Sequence, residues 1–224
     1  MVADEAVARI VAGPLADARS VEERPVGVVV ESPVRTRYQG ESALNNLVAD
    51  RMRAAAPGAD VAVMNGGGVR ADLPAGALDY GHLYATLLFD NRLVMVRMRG
   101  AALRAALRDN VRADDGALGL AGARVSVACE GASMQVRVAR DDGRPIADDE
   151  LLTVATNDYL AGGSLARHLA EPLTDEAMAA APVMRDAVGA PLGAVGPLRG
   201  DDPRWYDPAH PRMALPHARP VRCR

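Results

Sequence analysis

The stretch VAVMNGGGVRADLPAG, residues 61–76, decides how this chain is read. An apolar run meets an asparagine and three consecutive glycines, and an arginine, an aspartate and a proline follow. A short apolar run bounded by turn residues suits a buried strand. Glycines directly after it predict backbone that takes positive φ and approaches a ligand closely, with peptide N–H groups as donors. The spacing is neither GxGxxG nor GxxxxGK[ST], no lysine follows, and the next helix is several residues away. On spacing alone, a tight turn with no ligand fits as well.

Outward from this stretch, helix and strand signals alternate. Residues 3–18 place Val7, Ile10, Val11 and Leu15 at helical spacing. VGVVVES, ending at Ser32, is β-branched and reads as a strand. A polar loop with Arg35 and Arg37 follows. Ser42 then caps a helix whose stripe is Leu44, Leu47, Val48 and Met52. LDYGHLYATL (78–87) reads as a short helix, and RLVMVRMRG (92–100) alternates like a half-buried strand. GAALRAALRDNV (100–111) is a strong helix with Leu103 and Leu107 at i,i+4. RVSVACEG (124–131) and SMQVRVARDDGRPI (133–146) read as paired strands, the second ending at a DDG turn. LLTVATNDYLAGG (151–163) is a strand entering a second glycine loop, and residues 164–190 read as helical. Proline and glycine dominate from 191 onward, with a closing strand near PVRC. These elements imply one α+β (mixed α/β) domain over 1–224, with a mixed sheet, flanking helices and an irregular C-terminal cover over 191–224.

Composition narrows the function. The 224 residues are 49% hydrophobic and carry a net charge of −3, so no basic field recruits nucleic acid. No apolar stretch approaches the roughly 20 residues of a membrane span. The acidic, amphipathic start lacks the features of a signal peptide, so the protein is cytoplasmic or the chain begins inside a longer precursor. Cys129 and Cys223 have no metal-ligand spacing. A long-range disulfide and two inert thiols are equally compatible with them. Aromatic residues make up only 3%, and Phe89 is the single phenylalanine.

Four segments in order carry a resemblance: GESALNNLVADRM, ADVAVMNGGGVRADLPAG, LDYGHLYATLLFDNRLVMVRMRGAALRAAL and LLTVATNDYLAGG. Together, from about 38 to 163, they resemble the C-terminal domain of the 5′-nucleotidase family. That family's pattern runs G-E-S/N-x-x-G-N-L, then N-G-G-G-I-R, then Y-G-D-L-x-x-x-x-P-F-x-N, then T-N-D-Y/F-L-A-x-G-G-D-G. The resemblance implies a domain that grips the nucleoside part of a substrate. Its base would stack between two rings, which match Phe89 and Tyr159. Asn65 and Arg70 match the glycine-turn asparagine and arginine, with Gly67 and Gly68 lining the ledge. Arg35 and Arg37 are the candidates for an arginine ahead of G-E-S. Three departures stand out. Ser164 replaces the aspartate that would bind ribose hydroxyls, Leu88 replaces the proline before the phenylalanine, and Asn45 takes a glycine position ahead of Asn46.

Physical chemistry gives these residue types matching uses. A base stacked on an aromatic side chain gains roughly 1–3 kcal/mol. An arginine fork fits phosphate or ribose oxygens, whereas a surface pair between Arg70 and Asp72 would contribute little. Asn65 can donate to a base or phosphate, or simply cap the turn. Catalysis needs more than this set. The family hydrolyses nucleotide phosphate esters on an N-terminal metallophosphoesterase domain that holds two divalent metals. His82, His168, His210 and His217 sit in none of that domain's D-x-H, G-N-H or G-H-x-H motifs. The expectation is a nucleotide-recognition domain that carries no metal, is inactive alone, and belongs to a periplasmic or extracellular parent. Alternatives are a non-catalytic nucleotide-sensing or interaction module, or the C-terminal domain of a related phosphoesterase with a non-nucleotide substrate such as a sulfur compound. An autonomous glycine-loop enzyme lacks nameable catalytic residues.

Overall fold

The computed structural model describes residues 5–224, so Ala3 and Asp4, the first positions of the expected opening helix, lie outside the described residues. The first half of the chain forms α1 (Glu5–Glu22), β1 (Pro25–Val30), α2 (Ala43–Ala55), β2 (Val61–Met64), β3 (Gly76–Asp79), α3 (Tyr80–Thr86), β4 (Leu93–Arg99) and α4 (Gly100–Arg112). The second half forms β5 (Gly119–Ala121), β6 (Ala123–Glu130), β7 (Ser133–Arg140), β8 (Leu151–Asn157), α5 (Asp158–Gly162), α6 (Asp175–Ala180), α7 (Met184–Gly189) and β9 (Met213–Ala214).

β2 lies between two apolar cores, and its alternation sorts its side chains between them. Ala62 and Met64 join the core built by α2, β1, α3 and α7. Val61 and Val63 join the core of α4, β4, β6, β7 and β8. A strand covered on both faces requires apolar residues throughout, and all four are buried. β2 pairs in parallel with β8 and antiparallel with β5, and β8 pairs antiparallel with β4. The resulting four-stranded mixed sheet has the order β4–β8–β2–β5. β1 and β3 form a separate antiparallel pair, and β7–β6–β9 form a third sheet. The alternating pattern of β4 puts Val94, Val96 and Met98 inside and Met95, Arg97 and Arg99 outside.

Several expectations change. The region 164–190 is not one helix: a single turn at Ala166–His168, α6 and α7 are separated by irregular chain. The closing strand is not at PVRC but at β9, parallel to β6. Proline at 216 and 220 keeps the terminal segment out of a ladder by removing backbone donors. The stripe of α1 has no cover among the described residues: Ile10 is 76% exposed and no residue of the helix is buried.

The tail is irregular yet firmly anchored. Glu41 accepts hydrogen bonds from Asn46 Nδ2 (2.7 Å) and from the backbone N–H of Arg212 (3.0 Å) and Met213 (2.8 Å). Asn46, fully buried, also donates to the Trp205 carbonyl at 2.8 Å and accepts from Leu120 N–H. The Arg212 guanidinium grips both oxygens of Asp50, at 2.7 and 2.9 Å. Cys129 and Cys223 form a disulfide, which resolves the alternatives left by the sequence and ties the terminus to β6.

Removing one partner of a desolvated ion pair strands the other. We therefore expect Arg212→Ala to lose about 3 kcal/mol of stability by denaturant unfolding. The double change Arg212→Met with Asp50→Leu should recover most of it. A loss below about 0.5 kcal/mol for Arg212→Ala would put the pair in the class of weak surface bridges.

Candidate functional site

Three chain segments open at one end of the four-stranded sheet. β2 and β8 run in parallel with Ala62 beside Ala155, so Met64 and Asn157 finish together. β4 runs against β8 with Leu93 opposite Asn157. The loop entering β4, the turn leaving β2 and the turn leaving β8 therefore share this end. They carry Phe89, the Asn65–Arg70 segment and Tyr159 respectively. Both rings face water: Phe89 is 46% exposed and Tyr159 is 67% exposed.

Side-chain and backbone hydrogen bonds fix the three segments to one another. Arg92 N–H donates to Asp158 Oδ1 and Asp158 N–H donates to the Arg92 carbonyl, each at 3.0 Å. Asn157 caps α5 by accepting from Leu160 N–H at 2.8 Å, and its amide donates to Asn65 Oδ1 at 2.8 Å. Arg70 N–H donates to the Thr86 carbonyl at 2.8 Å, joining the glycine turn to α3. The Arg70 guanidinium is exposed and donates to the Gly67 carbonyl. Asp72 accepts instead from Thr36 N–H at 2.9 Å.

The expected positive φ is absent from the glycine turn. Gly66–Gly68 form one tight right-handed turn, and the left-handed glycines lie elsewhere in the described chain. Space, not dihedral freedom, demands glycine at 66: a Cβ there would sit 2.5 Å from the Ala117 carbonyl oxygen. Gly68 is tight against the flexible end of Met64. Gly67 differs, because a Cβ there would make ordinary contacts, with the Tyr38 ring at 3.5 Å and Asn65 Nδ2 at 3.9 Å. Among the described residues, no steric clash or positive φ requires glycine at 67.

Beside this ledge lies a recess of about 500 Å³. Of the residues expected from sequence, Asn65, Gly67, Tyr159 and Ser164 line it. Phe89, Gly68 and Arg70 stand outside its lining. Arg35 and Arg37 line a separate hollow with Ser42 and Tyr206. Arg37 lies 5.8 Å from the Tyr206 ring centroid. The alternation of extended chain explains the split, since Thr36 between them bonds to Asp72 and Asn45.

Sequence reasoning missed the opposite wall. Tyr38 reaches the recess from the same loop, its ring lying over Gly67 and Gly116. Asp109 and Asn110 face it from α4, flanked by Ala106 and Ala113 at helical spacing. A polar pair between small residues on one helix face was the available signal. Asn110 Nδ2 donates to the Gly116 carbonyl at 3.0 Å, and Arg219 from the tail braces Asn110 and the Asp115 carbonyl. Asp109 accepts from Arg167 at 2.6 Å, with His168 Nε2 at 3.2 Å. Partial burial works to raise the Asp109 pKa, but Arg167 and His168 outweigh it and hold the carboxyl below its ordinary value. Among the described residues no cluster of three His, Cys, Asp or Glu could hold a metal ion.

Two outcomes follow from this geometry. Gly66→Ala should lower the thermal midpoint by several degrees, while Gly67→Ala should leave it within about one degree. Equal loss at both positions would contradict the distinction. The folded Asp109 value is depressed, so the stability its pairing adds is complete above pH 3.8, the ordinary aspartate value, and is lost as pH falls through the lower folded value. An NMR titration of its carboxyl should give a midpoint below 3.8 that rises in Arg167→Ala. A midpoint insensitive to Arg167 would refute the pairing.

Comparison with known proteins supplies the wider frame. Residues 20–171 match the family described as "5'-nucleotidase, C-terminal domain". The chain is 32% identical over 131 residues to endonuclease YhcR of Bacillus subtilis, spanning 58% of this chain and 10% of that protein. It is 30% identical over 147 residues to the NAD 5′-nucleotidase of Haemophilus influenzae, spanning 59% of this chain and 23% of that protein. The chain thus matches less than a quarter of these relatives' length. Its fold matches a 5′-nucleotidase precursor from Thermus thermophilus with a TM-score of 0.70, 22% identity, and coverage of 89% of this chain and 41% of the other. It also matches the sulfate thiohydrolase SoxB of Thermus thermophilus with a TM-score of 0.68, 21% identity, and coverage of 95% and 39%. With the family matched over more than half of its residues, this chain belongs to the 5′-nucleotidase C-terminal domain family.

Proposed function

We propose that residues 1–224 act as one recognition domain, which holds the nucleoside part of a nucleotide for a metallophosphoesterase domain on the same parent protein. The observation that carries this reading is the pair of exposed rings, Phe89 and Tyr159, at one sheet end, with Asn65 hydrogen-bonded to Asn157 at the start of the Tyr159 turn. Two flat side chains select a heterocycle by its faces, and stacking of a base contributes roughly 1–3 kcal/mol. Asn65 offers an amide donor to a base or phosphate. Arg70 supplies an exposed guanidinium for phosphate or ribose oxygens.

Hydrolysis of the phosphate ester takes place, in this reading, at a pair of divalent metals on the other domain. The metals activate the attacking water and stabilise charge on the phosphoryl oxygens. The residues described here bind and orient the nucleoside and carry no bond-breaking step. The Cys129–Cys223 disulfide supports a periplasmic or extracellular parent, because such bonds persist in oxidising compartments. A second reading rests on Ser164, which lines the recess where the family pattern has an aspartate. Without that carboxylate, ribose recognition weakens and a non-nucleotide phosphoesterase substrate becomes the competitor.

Calorimetric titration with AMP, adenosine and UMP separates these readings. Saturable binding of a nucleoside, weakened at least about tenfold by Phe89→Ala and by Tyr159→Ala, is the expected result. Absence of binding to all three, or unchanged affinity in both variants, would sink nucleoside recognition. Substantial turnover of nucleoside monophosphates by this chain alone, with divalent metal added, would contradict the division of labour.

A further inference from the structure

The loop that carries Phe89 is held by a cation from a distant part of the chain. Arg185 on α7 is only 5% exposed and lies beyond the residues matched by the family. Its Nη1 donates to the Leu87 carbonyl at 2.9 Å and its Nη2 to Asp90 Oδ1 at 2.7 Å. Its Nε donates to the Tyr80 hydroxyl at 3.1 Å, and the guanidinium lies 4.3 Å from the Tyr84 ring centroid. Leu87 and Asp90 bracket Leu88 and Phe89 on either side. The neighbouring backbone adds to the grip: Met184 N–H donates to the Asn91 carbonyl and Leu93 N–H to the Pro182 carbonyl.

Burying a guanidinium is unfavourable unless it is paired and hydrogen-bonded. The carboxylate that pairs with it is 75% exposed, so the ion pair itself returns little stability. Geometry is what the arrangement provides. A rigid planar fork that reaches a carbonyl and a carboxylate three residues apart fixes the segment between them. Burial opposes the charge, yet the hydrogen bonds to Tyr80 and Asp90 outweigh it and keep the guanidinium firmly protonated.

We propose that Arg185 is a positioning residue for recognition: its fork clamps Leu87 and Asp90 so that the exposed Phe89 ring is held ready before ligand arrives. The proposal rests on the reading of Phe89 as one ring of the nucleoside slot. An ordered ring spares the complex the entropy of ordering it on binding. Arg185 touches no ligand in this account and acts only through Phe89.

Phe89 is the sole phenylalanine, so full-length chain labelled with 4-fluorophenylalanine gives a single fluorine signal. Arg185→Lys and Asp90→Asn should each shift that signal toward the mobile, random-coil position. The same variants should weaken adenosine binding about three- to tenfold by calorimetry, and Asp90→Asn should do so with the thermal midpoint unchanged. In a Phe89→Ala background neither change should weaken binding further, because the ring they position is gone. An unaltered fluorine signal, or losses that add fully to that of Phe89→Ala, would overturn the proposal. If the signal shifts but unmodified protein binds no adenosine, the nucleoside reading fails while the clamp on the ring stands.

Discussion

One buried amide ties together the sheet end that carries Asn65 and Tyr159. Asn157 is fully buried, and each of its polar atoms has a fixed task. Its oxygen caps α5, which begins the turn that bears Tyr159, and its nitrogen holds the oxygen of Asn65. Neither bond would form without the parallel pairing of β2 and β8, which brings Met64 and Asn157 to the same level. A buried amide left unpaired loses its full hydration with nothing in return. The pair therefore fixes the spacing between the glycine ledge and the second ring. Antiparallel β4 delivers the first ring to the same edge.

The rest of the molecule holds that edge in place. The tail has almost no regular structure, yet Glu41, Asn46 and Asp50 on and around α2 fasten it by charged and buried hydrogen bonds. From there Arg219 reaches back to the wall of the recess. The disulfide between Cys129 and Cys223 closes a span of 94 residues, which restricts the unfolded chain more than a short loop would. Recess, wall and tail are thus linked by hydrogen bonds, while the apolar stripe of α1 has no cover among the described residues.

Much of this was legible before any coordinates. Apolar residues at every position of β2 announced burial on both faces, and the alternation of β4 announced one wet face. The Ser42 cap and the paired β6 and β7 follow from local chemistry that tertiary contacts do not override. The glycine turn was located correctly but for the wrong reason. Close approach of Ala117, from a segment some fifty residues downstream, is invisible to local sequence. Arg35 and Arg37 share one side of an extended stretch and line a hollow apart from the recess, a placement that residue type alone does not give. Tyr38 and the α4 wall were missed because a recess depends on which elements meet. Arg185 was hidden for the same reason: nothing near position 185 names its partners at 87 and 90.

The central claim is that a heterocycle lies between Phe89 and Tyr159 with Asn65 at its edge. A crystal structure of this chain with adenosine bound tests it most directly. The account predicts the base in contact with both rings and a hydrogen bond from the Asn65 amide. Adenosine seated in the hollow of Arg35 and Arg37, or touching neither ring, would contradict it.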